Sequence, residues 1–247
     1  MFASMTGGMG RSGGSRGQYG YAPPKPDTRK QEAFFAQYAE TPDDGSSELI
    51  ITETGTEKLC EDLGFSPLDP VALVWCYHCG AKQMGSFTKT EFLHGLAVFG
   101  AQDCAQLRER VDEMRSQLQP THPLCKRVYN NVFLLSLEPG QKQLGKEMAI
   151  EVWKLLLPLF GNAELANSWL VYVEEHNKKP AISKDVWNMV FDLLLTCKAD
   201  LSDYDEDGAW PVMIDDFAAH MKENSIRSKS TLVMIVKLSV SLIAFEY

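Results

Sequence analysis

The chain has 247 residues, 45% hydrophobic and 23% charged, with a formal net charge of −9 at pH 7. That length and apolar share supply core for one large or two small globular domains, and the acidic balance argues against a general nucleic-acid binder and for a basic protein partner. Six cysteines at irregular spacing, with no secretory signal, read as reduced intracellular thiols; Cys76 and Cys79 form a lone Cys-x-x-Cys with no second pair to complete a zinc site.

Residues 1–27 are rich in Gly, Ser, Arg and Pro and carry almost no aliphatic side chains, which predicts a disordered leader. Phe2 stands where N-myristoylation would need Gly. Phe34, Phe35 and Tyr38 fall at helical spacing, so a first helix is expected over Thr28–Glu40, followed by a loop at Asp43–Ser47. Thr54 and Glu57 have capping-box spacing ahead of Leu59, Cys60 and Leu63. Asp69-Pro70 gives an N-cap followed by proline at the first helical position. The run Val71 to Cys79 is apolar nearly all round, so it predicts a deeply buried helix with its two thiols inside. Thr88 and Glu91 form another capping box, opening a helix through Phe99, and Asp103 caps one running to about Leu118.

Pro120 to Pro123 and Pro139-Gly140 are breaks. Between them Val128, Val132, Phe133, Leu135 and Leu137 mark an apolar helix. Further helices are expected over Glu147–Leu157, Asn162–Glu175 and, capped by Ser183, Lys184 to Leu195 or beyond. Pro211 begins a last helix to about Met221. No period-two stretch of strand length stands out, so the fold class is all-α. The main domain is expected over residues 28–222. Residues 223–247 read as a separate tail, whose apolar, β-branched part, Thr231–Phe245, is interrupted by Lys237. That part falls short of the ~20 residues a spanning helix needs, so a membrane anchor is disfavoured.

The stretch Asp203–Phe217 concentrates the chemistry. Asp203, Asp205, Asp207 and Gly208 stand where a calcium-binding EF-hand loop has its first ligands and its turn, yet the ninth position is Pro211 and the twelfth, which should be a bidentate Glu, is Ile214. A second loop, from Gly80 to Glu91, has the turn glycine (Gly85), an apolar eighth residue (Phe87) and the final Glu, but Gly80, Lys82 and Met84 in place of the first ligands. Two EF-hand-like units without convincing metal sites point to a scaffold, with a calcium-dependent EF-hand adaptor as the alternative. There is no phosphate-binding glycine loop, nucleophile elbow or His-Glu-x-x-His, and His78, His94, His122, His176 and His220 are scattered. No catalytic residue, cofactor or metal ligand is therefore assigned.

Asp-Gly-Ala-Trp-Pro-Val-Met-Ile-Asp-Asp-Phe (207–217) resembles the signature of the defective-in-cullin-neddylation family, whose core is the potentiating-neddylation domain. Leu-Cys-Glu-Asp-Leu-Gly (59–64), Pro-Gly-Gln-Lys (139–142), Glu-Met-Ala-Ile-Glu-Val-Trp (147–153) and Ser-Lys-Asp-Val-Trp-Asn (183–188) fit the same family in the same order, from about Thr28 to Lys222. The resemblance implies a non-catalytic scaffold that promotes cullin neddylation in the nucleus and cytoplasm. Asp185, Ala209 and Asp215 match the patch that grips the basic C-terminal winged-helix region of a cullin. Carboxylates there suit charge-assisted bonds to Lys or Arg, although Asp185 as a first-turn dipole partner and Asp215 as a solvated charge are equally ordinary roles. The resemblance also implies a pocket for the acetylated N-terminal methionine of the neddylation conjugating enzyme, at Leu59, Ala72, Trp75, Met84, Phe87, Leu135 and Leu155. For each of these, plain core packing is the competing reading. Met84, Thr56 and Trp75 depart from the residues usual in the family, so the pocket's shape is expected to be its own.

Overall fold

A computed structural model of the chain describes residues 27–42 and 47–243. The expected leader, up to residue 26, and most of the loop at 43–47 lie outside the described residues. In the first half, helices α1 (Thr28–Ala36), α2 (Glu53–Leu63), α3 (Val71–Cys79) and α4 (Lys89–Phe99) pack together; α5 (Cys104–Arg108) and α6 (Val111–Ser116) lead on. The second half holds α7 (Cys125–Leu135), α8 (Lys146–Leu156), α9 (Ala163–Val171), α10 (Lys184–Thr196) and α11 (Val212–Ile243).

The expectation of no strand is corrected. β1 (Ala39–Glu40), β2 (Ile50–Ile51) and β3 (Phe87–Thr88) form one antiparallel sheet, with Ala39 opposite Ile51 and Ile51 opposite Phe87. β4 (Gln143–Gly145) and β5 (Ala181–Ser183) form a second, with Leu144 opposite Ile182. Strands of two or three residues carry no readable alternation. Each of β2 to β5 nonetheless sends one apolar side chain inward: Ile51, Phe87, Leu144 and Ile182 are all buried. Each also runs directly into a helix, so every half repeats a helix–strand–helix unit twice and joins the two units through their strands.

Local signals explain most helix starts. Thr88 and Glu91 make the reciprocal capping box, Ser183 Oγ accepts from the Val186 amide at 3.2 Å, and Asp103 and Asn162 cap α5 and α9. Asp69 accepts from the Val71 amide at 3.0 Å ahead of α3. The box expected at Thr54 and Glu57 does not form, because β2 delivers the chain to Thr52, which caps α2 two residues earlier. The helix expected from Asp103 breaks at Glu109 and Arg110. After α8 the backbone tightens into a 3-10 turn, Leu157–Phe160, where Pro158 has no amide to donate. α9 ends in a π turn, Tyr172–His176. The last helix does not stop near Met221: α11 continues unbroken to Ile243, through the boundary expected after residue 222.

Both halves are built around aromatic rings. Phe34, Trp75, Phe87, Phe92 and Phe99 cluster in the first. In the second, Trp187 is sandwiched between Trp153 (centroids 5.1 Å apart, 11° between planes) and Tyr129 (4.9 Å, 16°), with Trp169 and Phe217 edge-on beyond. The acidic stretch before α11 forms no strand. Asp203 and Asp205 spend a carboxylate oxygen each on the amides of Lys198 and Asp207. Gly208 does not adopt the left-handed turn. A Cβ there would sit 2.8 Å from Trp210 Nε1, so this glycine lets the tryptophan close onto its own loop.

Candidate functional site

Two concave surfaces stand apart on the molecule. The first is a cavity of roughly 330 Å³ between α2, α3, the turn before β3, and α8. Helical phase supplies its wall. With α2 starting at Glu53, residues Glu53, Thr56, Glu57 and Cys60 fall on one face. Ala72, Trp75 and Cys76 do the same on α3, and Val152 and Leu155 on α8. Phe87 and Leu73 complete an apolar lining, and Met84 and the largely exposed Leu68 stand at its edge. Gly85, at φ +69°, makes the tight turn beside Met84, and Thr56 Oγ1 donates to its carbonyl at 2.8 Å, tying turn to helix.

Burial pushes the Cys60 and Cys76 thiols up, to about 12 and about 11, so both line the cavity as neutral, unreactive groups. The Trp75 ring forms wall, and its buried Nε1–H has no acceptor among the described residues. Arg115 pairs with both oxygens of Asp69 at 3.2 and 2.9 Å.

The second surface is an open hollow of roughly 550 Å³ framed by β4, β5 and the starts of α10 and α11. Asp185 stands in the first turn of α10, exposed, on a helix start fixed by Ser183. Trp210, Pro211, Val212 and Met213 face it across the hollow. Ala209, exposed, precedes the tryptophan. Asp215 is half-buried and accepts a 2.6 Å hydrogen bond from Tyr204, whose ring lies 5.5 Å from Trp210. Burial, and then that bond to Asp215, hold the Tyr204 hydroxyl well above its ordinary value, so it remains a donor. Met213 and Ile214 are buried, whereas Val212 is 65% exposed and adds an apolar edge. Among the described residues, no three His, Cys, Asp or Glu side chains are grouped to hold a metal ion.

A family model described as cullin binding matches residues 106–220, which contain the whole of the second surface. The human DCN1-like protein 5 (Homo sapiens) is 35% identical over 199 residues, 79% of this chain and 78% of that protein. The chain belongs to the DCN1-like family. DCN1-like protein 3 of Drosophila melanogaster is also 35% identical, over 187 residues, and this chain spans 54% of its length. Defective in cullin neddylation protein 1 of Yarrowia lipolytica is 32% identical over 171 residues, 70% of its length.

In this DCN1-like chain, Ala72, Trp75, Met84, Phe87 and Leu155 share the first cavity. Leu59 and Leu135 do not line it: both are buried in the core, at 0% and 6% exposure. Leu59 lies roughly 100° round the helix from Cys60, which does face the cavity. Sequence reasoning missed Glu53, Glu57, Cys60, Leu68, Cys76 and Val152. The i, i+3, i+4, i+7 spacing from Glu53 to Cys60 was the available signal, hidden by misplacing the cap. At the second surface, Asp185 lines the hollow itself, with Ala209 and Asp215 flanking the residues opposite.

Proposed function

We propose that the chain is a non-catalytic scaffold in cullin neddylation, holding a cullin at one surface and a modifier-loaded conjugating enzyme at the other. The observation that carries this reading is the overlap of the cullin-binding match with the hollow bearing Asp185 and flanked by Ala209 and Asp215. The exposed carboxylate of Asp185 and the half-buried one of Asp215, beside an apolar edge at Val212, suit the basic C-terminal winged-helix region of a cullin. The apolar cavity suits the acetylated N-terminal methionine of the conjugating enzyme. Burying such a side chain contributes roughly 1.5–3 kcal/mol, and the acetyl cap removes an amine charge that is costly to desolvate.

The scaffold itself is EF-hand-like in our reading. Gly85 supplies the sharp turn at the sixth loop position, and Phe87, at the eighth, pairs with Ile51 as such loops pair. The shape serves to hold helices rather than calcium, since Pro211 and Ile214 stand where the ninth and twelfth loop ligands would be. The location that goes with this role is the nucleus and cytoplasm. Among the described residues no helix is long and apolar enough to cross a membrane.

The test is a reconstituted neddylation reaction with and without the chain. Native protein is expected to raise the initial rate of modifier transfer to a cullin. Asp185→Lys with Asp215→Lys is expected to abolish cullin binding and that rate gain while helical circular dichroism is kept. Asp185→Lys alone, at an exposed position, guards against a folding defect from the half-buried Asp215. Retained affinity in the double variant overturns the assignment.

A further inference from the structure

The cavity's mouth carries two glutamates without a paired side chain among the described residues. Glu53 and Glu57 both line it, one turn apart on the exposed face of α2, and neither is in an ion pair or hydrogen bond among the described residues. Asp69, the third carboxylate there, is already held by Arg115. Glu53 has a reason to sit in the first turn of a helix, where the dipole favours an anion; Glu57, a turn further in, has much less. Two like charges at i, i+4 repel slightly, and a cation set between them relieves that. Glu53 also leans over the tight turn, since a Cβ on Gly85 would meet its Cγ at 3.6 Å. Behind the carboxylates lie Trp75, Phe87, Ala72 and Leu155. An apolar slot under an anionic lip is complementary to a segment that pairs an apolar anchor with a nearby positive charge.

We propose that Glu53 and Glu57 select, among segments that seat an apolar N-terminal side chain in this cavity, those bearing Lys or Arg within their first few residues. The inference rests on reading the cavity as the acetylmethionine slot. A capped terminus carries no amine charge, so the cation at the lip comes from a side chain further along. Carboxylates that both face the solvent attract without full desolvation, so the contribution is selectivity and faster encounter more than raw affinity.

The experiment measures binding of acetylmethionine peptides that differ only in whether their third and fourth residues are lysine, glutamine or glutamate. For the native chain at low salt, the lysine peptide is expected to bind about three- to tenfold tighter than the glutamine peptide, the scale of one or two exposed charge pairs, and the glutamate peptide weaker still. The lysine advantage should vanish in Glu53→Gln with Glu57→Gln and shrink at about 0.5 M salt. Equal binding of the lysine and glutamine peptides overturns the proposal, as does a lysine advantage that survives in the double variant. An unacetylated peptide that gains over its acetylated form, and loses the gain in the double variant, overturns it in favour of amine capture. If no acetylmethionine peptide binds at all, the slot reading fails, and the inference with it.

Discussion

Tyr129 shows how one residue organises a core. It is fully buried between α7 and α10, and its hydroxyl donates to the Trp187 carbonyl at 2.8 Å while accepting from Trp153 Nε1 at 2.9 Å. Its own carbonyl accepts from Trp187 Nε1 at 3.1 Å. Burial pushes the phenol far above its ordinary value, so the proton stays on at any working pH. Tyr129→Phe keeps the ring stack and strips the Trp153 N–H of its acceptor. The variant should lose about 2–3 kcal/mol in urea unfolding, the cost of leaving a buried donor unpaired and a carbonyl underused. Such a residue is invisible in the sequence because its partners lie 24 and 58 positions away. Ser183 and Thr88, by contrast, were readable, since a cap is settled within three residues.

At the scale of elements the same distinction holds. α3 begins and ends where its apolar run does, and Pro158 and Pro211 fall at changes of helix. The strands escaped notice because pairing across the fold, not local pattern, creates them. The end of α11 is not legible because the composition changes after Met221 while the helix runs on to Ile243. Its contact with the π turn after α9 has a chemical signature. His220 on α11 lies ring to ring with His176, centroids 4.2 Å apart, beside Tyr172 and within 2.9 Å of the Asn224 amide nitrogen. Burial first, then His176 and Arg227, lower the His220 pKa, while Glu223 opposes them. A histidine depressed in the fold is protonated more readily when unfolded. The stability contributed by its neutral form is therefore complete above the ordinary value of 6.5 and is lost as pH falls through it. His220 is only half-buried and His176 beside it is exposed, so the effect is small. Between pH 7.5 and 5.5 the native chain should drop roughly 1–2 °C further in Tm than His220→Gln does.

At the scale of the molecule, the proposed activity needs both surfaces on one body. Two weak contacts raise the local concentration of each partner, and fixing their orientation removes part of the entropic barrier to transfer. A bridge fails when either end is cut, so losses should not add. Ala72→Trp, which fills the first cavity, and Asp185→Lys, at the second, should each remove most of the rate gain. The combined variant should be no worse than either alone in initial-rate measurements. A product of the two separate losses would mean the surfaces act independently.

The wall of the first cavity comes from both halves of the fold: Glu53 to Phe87 on one side, Val152 and Leu155 on the other. It is thus a seam as much as a slot. Whatever lodges there becomes a keystone, touching both halves in one place, and by mass action it clamps them together for as long as it stays.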